Sequence, residues 1–342
     1  MKQIKTQDAV GHILCHDVTK IVRGESKDAA FRKGHVITES DIPVLLYLGK
    51  EHVYIWEDKP GMLHENDAAE VLSEICKGEN MQATEPKEGK IDLIADMDGL
   101  LFVDTEGLRK INSLGDMIIS TRASGSVVKK GDKLCGTRII PLSIAKNKME
   151  EARLITGNVP LLKILPFKPK SYGLINTGSE LFYGRINDTF TPVIVEKMAE
   201  YGCEMITNVK LEDNHEHITA TIKGILDSGA EMVLCTGGMS VDPDDRTPLA
   251  IKNAADKIVS YGAPVLPGAM FMLAYMDDGR PICGLPGCVM YSKRTIFDLV
   301  LPRLLADVPV TPEWLAELGN GGLCLECEEC RFPNCAFGRG AH

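Results

Sequence analysis

Met232-Val-Leu-Cys-Thr-Gly-Gly-Met-Ser240 is a short apolar run that ends in a turn of small residues, and two other segments are built the same way. Gly173-Leu-Ile-Asn176 runs into Thr177-Gly-Ser-Glu180, and Ile282 to Leu285 runs into Pro286-Gly287. Short apolar runs bounded by Gly and Pro read as strands buried on both faces. In a parallel sheet the carboxyl ends of the strands share one edge, so the three turns are expected to converge on one crevice. Open α/β proteins bind their ligands there. Backbone N–H groups of Gly-rich turns and of helix N-termini favour an anionic ligand.

Helical patterns fill the gaps between these strands. Pro192 at a first-turn position, Ile194, Val195, Met198 and Tyr201 read as a helix with Thr191 as its cap and Gly202 as its stop. A strand over Cys203 to Val209 follows, then a helix capped by Asp213 that carries Ile218, Ile222, Ile225 and Leu226. Thr247-Pro248 opens another helix, and a last one is expected from about Val289 to Leu305. Strands alternating with helices predict an α/β fold, a three-layer, doubly wound, mostly parallel sheet.

Upstream the pattern is different. Ala30 to Ile37 reads as a strand broken at Gly34, Thr38 or Ser40 can cap a helix through Ile42, Leu45, Leu46 and Leu48, and His52–Trp56 reads as a second strand. This sequence of a Lys-Gly turn, a short helix and a closing strand resembles the β-clip modules called SAF domains. A helix is expected from Asn66 to Lys77, a loop over 80–90, and short β-like runs at Leu100–Val103, Met117–Ser120 and Thr137–Ile140. Residues 143–165 are read as a link. The expected division is a SAF-like module over 1–60, a smaller β-rich or α+β domain over 61–165, the α/β domain over 166–308 and a cysteine-rich tail over 309–342.

Candidate ligand residues cluster at the three turns. Thr177, Gly178 and Ser179 precede Glu180, whose carboxylate would project into the crevice to accept hydrogen bonds from an amino-bearing ring or to help hold a metal. Thr236, Gly237, Gly238 and Ser240 let a backbone approach a ligand closely and add a hydroxyl. Asp242, Asp244 and Asp245 then place three carboxylates just before a helix, and Mg²⁺ is commonly held by one or two carboxylates plus substrate oxygens. Arg246 stands either to neutralise a phosphate or to pair with these aspartates. Pro286 and Gly287 form the third turn.

Taken together, Thr177-Gly-Ser-Glu-Leu181, Gly184 with Asp188-Thr189, Thr236-Gly-Gly-Met-Ser240, Asp245 with Thr247-Pro248, and Leu285-Pro-Gly287 resemble the molybdopterin-binding domain of the MogA, MoeA and gephyrin proteins. The resemblance covers about residues 168–305. It implies a MogA-like fold, molybdopterin as ligand or substrate, and a role in molybdenum-cofactor biosynthesis. In the MoeA branch the implied reaction is molybdate insertion; in the MogA branch it is adenylylation by ATP with Mg²⁺. Carried over by position, Glu180 and Asp245 are the acidic site residues, with Asp242 and Asp244 beside them. Thr177, Gly178, Ser179, Asp188, Thr236, Gly237, Gly238, Ser240, Pro286 and Gly287 line the cleft, and a homo-oligomer is implied. The chain departs from the pattern at Ser179, Phe190 and Cys288-Val289, and Asp98-Gly-Leu-Leu101 does not match the MoeA N-terminal signature. These departures keep a non-catalytic molybdopterin sensor or carrier in view. Asp244-Asp245 before Thr247 also resembles the CinA-type domain, which implies a nucleotide pyrophosphatase.

Composition limits the other classes. The 342 residues carry a formal net charge of −10, and no Lys/Arg block offsets it, which argues against nucleic-acid and membrane partners. The N-terminus shows no apolar core of a signal peptide, so a cytoplasmic protein is expected. Of the 11 cysteines, seven are scattered and read as buried or inert thiols. Cys324, Cys327, Cys330 and Cys335 form a C-x2-C-x2-C-x4-C array, read as ligands for an iron–sulfur cluster or Zn²⁺.

Overall fold

The computed structural model describes residues 2–22, 26–55 and 60–340. The chain forms two compact units, one from residues 1–96, 103–122 and 131–163 and the other from 97–102, 123–130 and 164–342.

In the first unit Lys2–Lys5 pairs antiparallel with His52–Ile55, and Val18–Val22 with Ser26–Phe31. Leu45 of the helix Asp41–Tyr47 packs with Leu14, Ile37, Val53 and Ile55 in a small core. Trp56, expected to close the strand from His52, lies outside the described residues. A four-stranded antiparallel sheet follows in the order Met81–Ala83, Lys90–Ala95, Lys133–Ile139 and Met117–Thr121. Its first strand corrects the loop expected over 80–90: Met81–Ala83 is too short to show a period, but pairs with Leu93–Ala95. The helix Glu65–Cys76 packs on this sheet through a buried face that includes Ala68, Ala69, Leu72 and Ile75. Residues 143–165 are not a bare link. Ser143–Ala145 pairs with Met62–His64, and Lys146–Thr156 is a helix that buries Met149 and Ala152 and stops at Gly157 in the left-handed conformation.

The second unit is a three-layer α/β sandwich. The strands of its main sheet are β1 (Ser171–Thr177), β2 (Glu204–Leu211), β3 (Met232–Thr236), β4 (Lys257–Tyr261), β5 (Met272–Tyr275) and β6 (Pro281–Leu285), in the sheet order β2-β1-β3-β6-β5-β4. The first four of that order run parallel; β5 is antiparallel to both β6 and β4. The helices are α1 (Ser179–Phe182), α2 (Phe190–Ala199), α3 (His215–Asp227), α4 (Thr247–Ala254), α5 (Ile296–Leu305) and α6 (Pro312–Glu317). Successive strand side chains enter opposite cores, as the two-residue strand period requires. Leu174, Met232, Leu234 and Leu285 meet α2 and α5 through Ile194, Met198, Phe297 and Val300. Ile175, Val233, Cys235 and Ile282 meet α3 and α4 through Ile218, Ile222 and Ile251.

The single helix expected over Val289–Leu305 is two pieces: a 3₁₀ turn over Gly287–Met290, and α5 from Ile296. Thr295 and Asp298 form a capping box that starts α5 afresh. Buried Asp298 also receives Lys197 Nζ of α2 at 2.7 Å and Arg294 Nη1 at 2.8 Å, which ties the two helices of one layer together.

Candidate functional site

β1, β3 and β6 are neighbours in the middle of the sheet and point the same way. Their carboxyl ends therefore bring Thr177–Glu180, Thr236–Ser240 and Pro286–Gly287 to one edge. The side chains directly at these ends fix the turns. Thr177 and Thr236 are buried. Thr177 Oγ1 donates to the Thr236 carbonyl at 3.2 Å and lies 3.0 Å from Thr247 Oγ1 at the start of α4. Thr236 Oγ1 donates to Asn176 Oδ1 at 2.6 Å. These hydroxyls hold β1, β3 and α4 together at that edge.

Gly237 and Gly238 are required by that closeness. Gly237 has φ +82°, and a Cβ there would lie 2.1 Å from the Thr177 carbonyl oxygen. Gly238 has φ +52°, with Thr247 Oγ1 3.0 Å from the position of a Cβ. Gly287, by contrast, has nothing within 4 Å of a Cβ and faces open space. Ser240 and Gly287 are exposed, as is Glu180, while Gly178 and Ser179 are half-buried.

The structure adds residues that sequence reasoning missed. Asp213 does not cap α3. Asn214 does, its Oδ1 accepting the Glu216 and His217 N–H groups. Asp213 turns instead toward β1, where its Oδ2 accepts the Ser179 N–H at 2.9 Å and the Ser179 hydroxyl at 3.2 Å. Asn176 binds Thr191 Oγ1 at 3.0 Å and Asn208 Oδ1 at 2.9 Å beneath the same edge. Thr191 lies inside α2, and Asp188 does the capping expected of it, accepting the Thr191 N–H at 3.0 Å and its hydroxyl at 2.7 Å. The ligand candidate Asp188 is thus bound to its own helix. The pairs Ser179–Asp213, Asn176–Thr191 and Asn176–Asn208 join residues far apart in sequence, and only the apolar strand pattern hinted that their elements would meet.

The acidic loop closes on itself. Asp245 Oδ2 accepts the Asp242 N–H at 3.2 Å, and the Asp245 N–H returns to the Asp242 carbonyl at 3.0 Å. Asp242 and Asp244 are exposed, Asp245 half-buried. Tyr261 OH donates to the carbonyls of Met239 at 3.0 Å and Ser240 at 3.1 Å. Burial, aided by the Asp245 charge, raises the Tyr261 pKa and keeps that phenol a donor.

Among the described residues, no three or more His, Cys, Asp or Glu side chains are gathered to hold a metal ion. The metal centre expected at the four tail cysteines is therefore not seen as a gathered ligand set. Cys327 and Cys330 are exposed thiols, Cys324 and Cys335 half-buried ones. Elsewhere burial pushes Cys15 up to about 11 and Cys235 up to about 12, which marks them as inert thiols.

Residues 173–306 match a family model described as a probable molybdopterin binding domain, and residues 3–57 match one described as a domain of unknown function (DUF8806). A molybdopterin molybdenumtransferase of Synechococcus elongatus is 24% identical over 207 residues, covering 57% of this chain and 49% of that protein. A CinA-like protein of Mycobacterium avium is 29% identical over 75 residues, covering 22% of this chain and 17% of that one. Among solved structures, the molybdopterin biosynthesis enzyme MoaB of Thermus thermophilus aligns with 41% of this chain and 98% of its own at 21% identity, with a TM-score of 0.35. The α/β domain of this chain is thus the part that matches the molybdopterin-binding family model. That domain spans residues 173–306, and the chain covers about half the length of the molybdenumtransferase it matches. Among the described residues, no helix is long and apolar enough to cross a membrane.

Proposed function

We propose that the α/β domain, residues 166–308, binds molybdopterin in the crevice and that the chain serves a molybdotransferase-like step of molybdenum-cofactor assembly. The observation that carries this reading is the meeting of three small-residue turns on adjacent strands inside the segment matched by the molybdopterin-binding family model. The terminal phosphate would lie against the backbone N–H groups of Gly237, Gly238 and Gly287, where turn dipoles supply positive potential. Glu180 would accept from the amino-bearing pterin ring. Asp245 would act as the second acidic site residue, held in place by its own loop.

Mg²⁺, where a nucleotide-linked step uses it, would be held by Asp242 or Asp244 with oxygens of the substrate, since one or two protein carboxylates suffice for it. In its site the metal would neutralise phosphate charge. Molybdate would enter as a substrate beside Glu180. An oligomer of identical chains is part of the same proposal.

A second reading, a carrier that holds molybdopterin without chemistry, is favoured by Ser179. The family's acidic residue is missing there, and both the N–H and the hydroxyl of Ser179 are engaged by Asp213. The separating experiment is anaerobic purification, pterin analysis by mass spectrometry, and incubation with molybdate or with ATP and Mg²⁺. Bound pterin with conversion lost in Asp245→Ala supports the transferase. Bound pterin without conversion supports the carrier. Hydrolysis of a nucleotide diphosphate with no pterin retained would replace both by a CinA-like pyrophosphatase.

A further inference from the structure

The C-terminal tail is pinned at both ends and exposed in the middle. The Cys324 N–H donates to the Leu266 carbonyl at 2.8 Å, while the Leu266 N–H donates to the Gly322 carbonyl at 2.8 Å. At the other end the Asn334 N–H closes a turn on the Arg331 carbonyl at 2.7 Å, and Arg339 Nε donates to the Cys335 carbonyl at 3.2 Å. Phe337 is buried in the core of the second unit, with Phe332, Cys324 and Cys335 packed against it. Cys327 and Cys330 lie on the exposed bend between these anchors.

All four cysteines line one cavity of about 570 Å³, within the size range of ligand sites. Its apolar walls include Leu323, Phe332 and Phe337, and Lys293, Arg294 and Arg331 border it. Lys293 Nζ donates to the Glu328 carbonyl at 2.9 Å, so a cation already touches the cysteine bend. The Arg294 guanidinium stands 5.2 Å from the Phe332 ring centroid.

We propose that Cys324, Cys327, Cys330 and Cys335 ligate a [4Fe–4S] cluster in this cavity, the exposed pair being drawn inward onto the anchored pair. Three thiols at equal two-residue gaps suit the corners of a cubane, whereas zinc sites more often join two cysteine pairs across a longer loop. Four thiolates around an oxidised cubane leave net negative charge; Lys293 and Arg331 border the cavity with Glu326 and Glu328, while Arg294 is already paired with Asp298 and Glu200. The apolar wall limits access of water to the sulfides. Loading by cluster transfer needs no oxidant. Each iron exchanges a donor thiolate for one of these thiols, whose proton passes to the departing thiolate. The proposal does not rest on the pterin reading, because no crevice residue takes part.

The test is incubation of the anaerobic full-length chain with a thiolate-ligated synthetic [4Fe–4S] cluster, followed by gel filtration. About four iron and about four acid-labile sulfide per chain, with a sulfide-to-iron absorption band that bleaches on reduction, are expected. Cys327→Ser and Cys330→Ser, both at exposed positions and so expected to unfold thermally like the unsubstituted chain, should each retain about tenfold less cluster. Cys203→Ser should retain it fully. Failure to take up cluster, zinc bound without sulfide, or full uptake by both bend variants would overturn the assignment.

Discussion

Gly237 shows how little freedom the crevice backbone has. A side chain there meets the Thr177 carbonyl, and φ is positive, so two penalties act on one residue. Gly237→Ala is expected to lower stability by about 1–3 kcal/mol or more, read by urea unfolding. Gly287→Ala, with open space around it, should stay within about 0.5 kcal/mol of the unsubstituted protein. Asp213 makes the complementary case. Asp213→Ala strips the Ser179 N–H and hydroxyl of their acceptor and should cost about 1–3 kcal/mol, whereas Asp213→Asn keeps an acceptor oxygen and should recover most of it. Equal unfolding midpoints for these two variants would remove Asp213 from the account. The glycines were legible in the sequence because only small residues tolerate such turns. Asp213 was not, because the same residue type at a helix start also reads as a cap, and its partner Ser179 lies on a different strand end.

At the scale of elements, buried charges decide most. Asp298 is surrounded by Lys197, Arg294 and the Thr295 backbone N–H. Asp298→Ala leaves a buried ammonium without its counter-charge and should destabilise by about 3–5 kcal/mol. Denaturant unfolding will show it, and a loss under about 1 kcal/mol would mean water reaches Lys197. In the first unit His64 caps the helix Glu65–Cys76. Its Nδ1 accepts from Lys33 Nζ at 2.9 Å and from the Asn66 N–H at 3.2 Å, while Nε2–H donates to the Cys15 carbonyl at 2.7 Å. Burial above all holds its pKa below the ordinary 6.5; the hydrogen bond to the Cys15 carbonyl and the Asp67 charge pull it back up, and Lys33 and His16 add to the lowering. The unfolded chain therefore takes up this proton first as pH falls, and His64 removes stability from just above 6.5 down to its folded value. Glu65, raised above 4.5 by burial, works in the opposite direction: its contribution declines as pH rises from 4.5 toward its folded value. His64→Gln should thus flatten the rise of stability toward neutrality in unfolding series from about pH 5 to about pH 8. An unchanged slope would show that other groups set it. The cap at His64 was invisible beforehand because histidine has no standing preference for that position.

For the whole molecule, the strand-and-turn pattern from residue 171 onward carried the architecture. Buried runs such as Met232–Thr236 have no polar face and can only sit inside a layered sheet. The antiparallel pair β4 and β5 was missed because Lys257–Tyr261 is a half-exposed edge strand with little apolar signal. The break before α5 was missed because its cap, Thr295, lies inside what reads as one continuous apolar period. In the first unit, strands of three residues are set by their partners and leave no pattern of their own. The most direct test of the pterin reading is an anaerobic equilibrium titration of molybdopterin onto the full-length chain and onto Gly287→Trp. A Cβ at Gly287 meets nothing within 4 Å, so the indole is expected to project into the open side of the crevice, and the variant should unfold like the unsubstituted protein. The account predicts saturable binding by the unsubstituted chain and about tenfold weaker binding, or about 1.4 kcal/mol, by Gly287→Trp. Equal affinity of the two, or no binding by either, would contradict it.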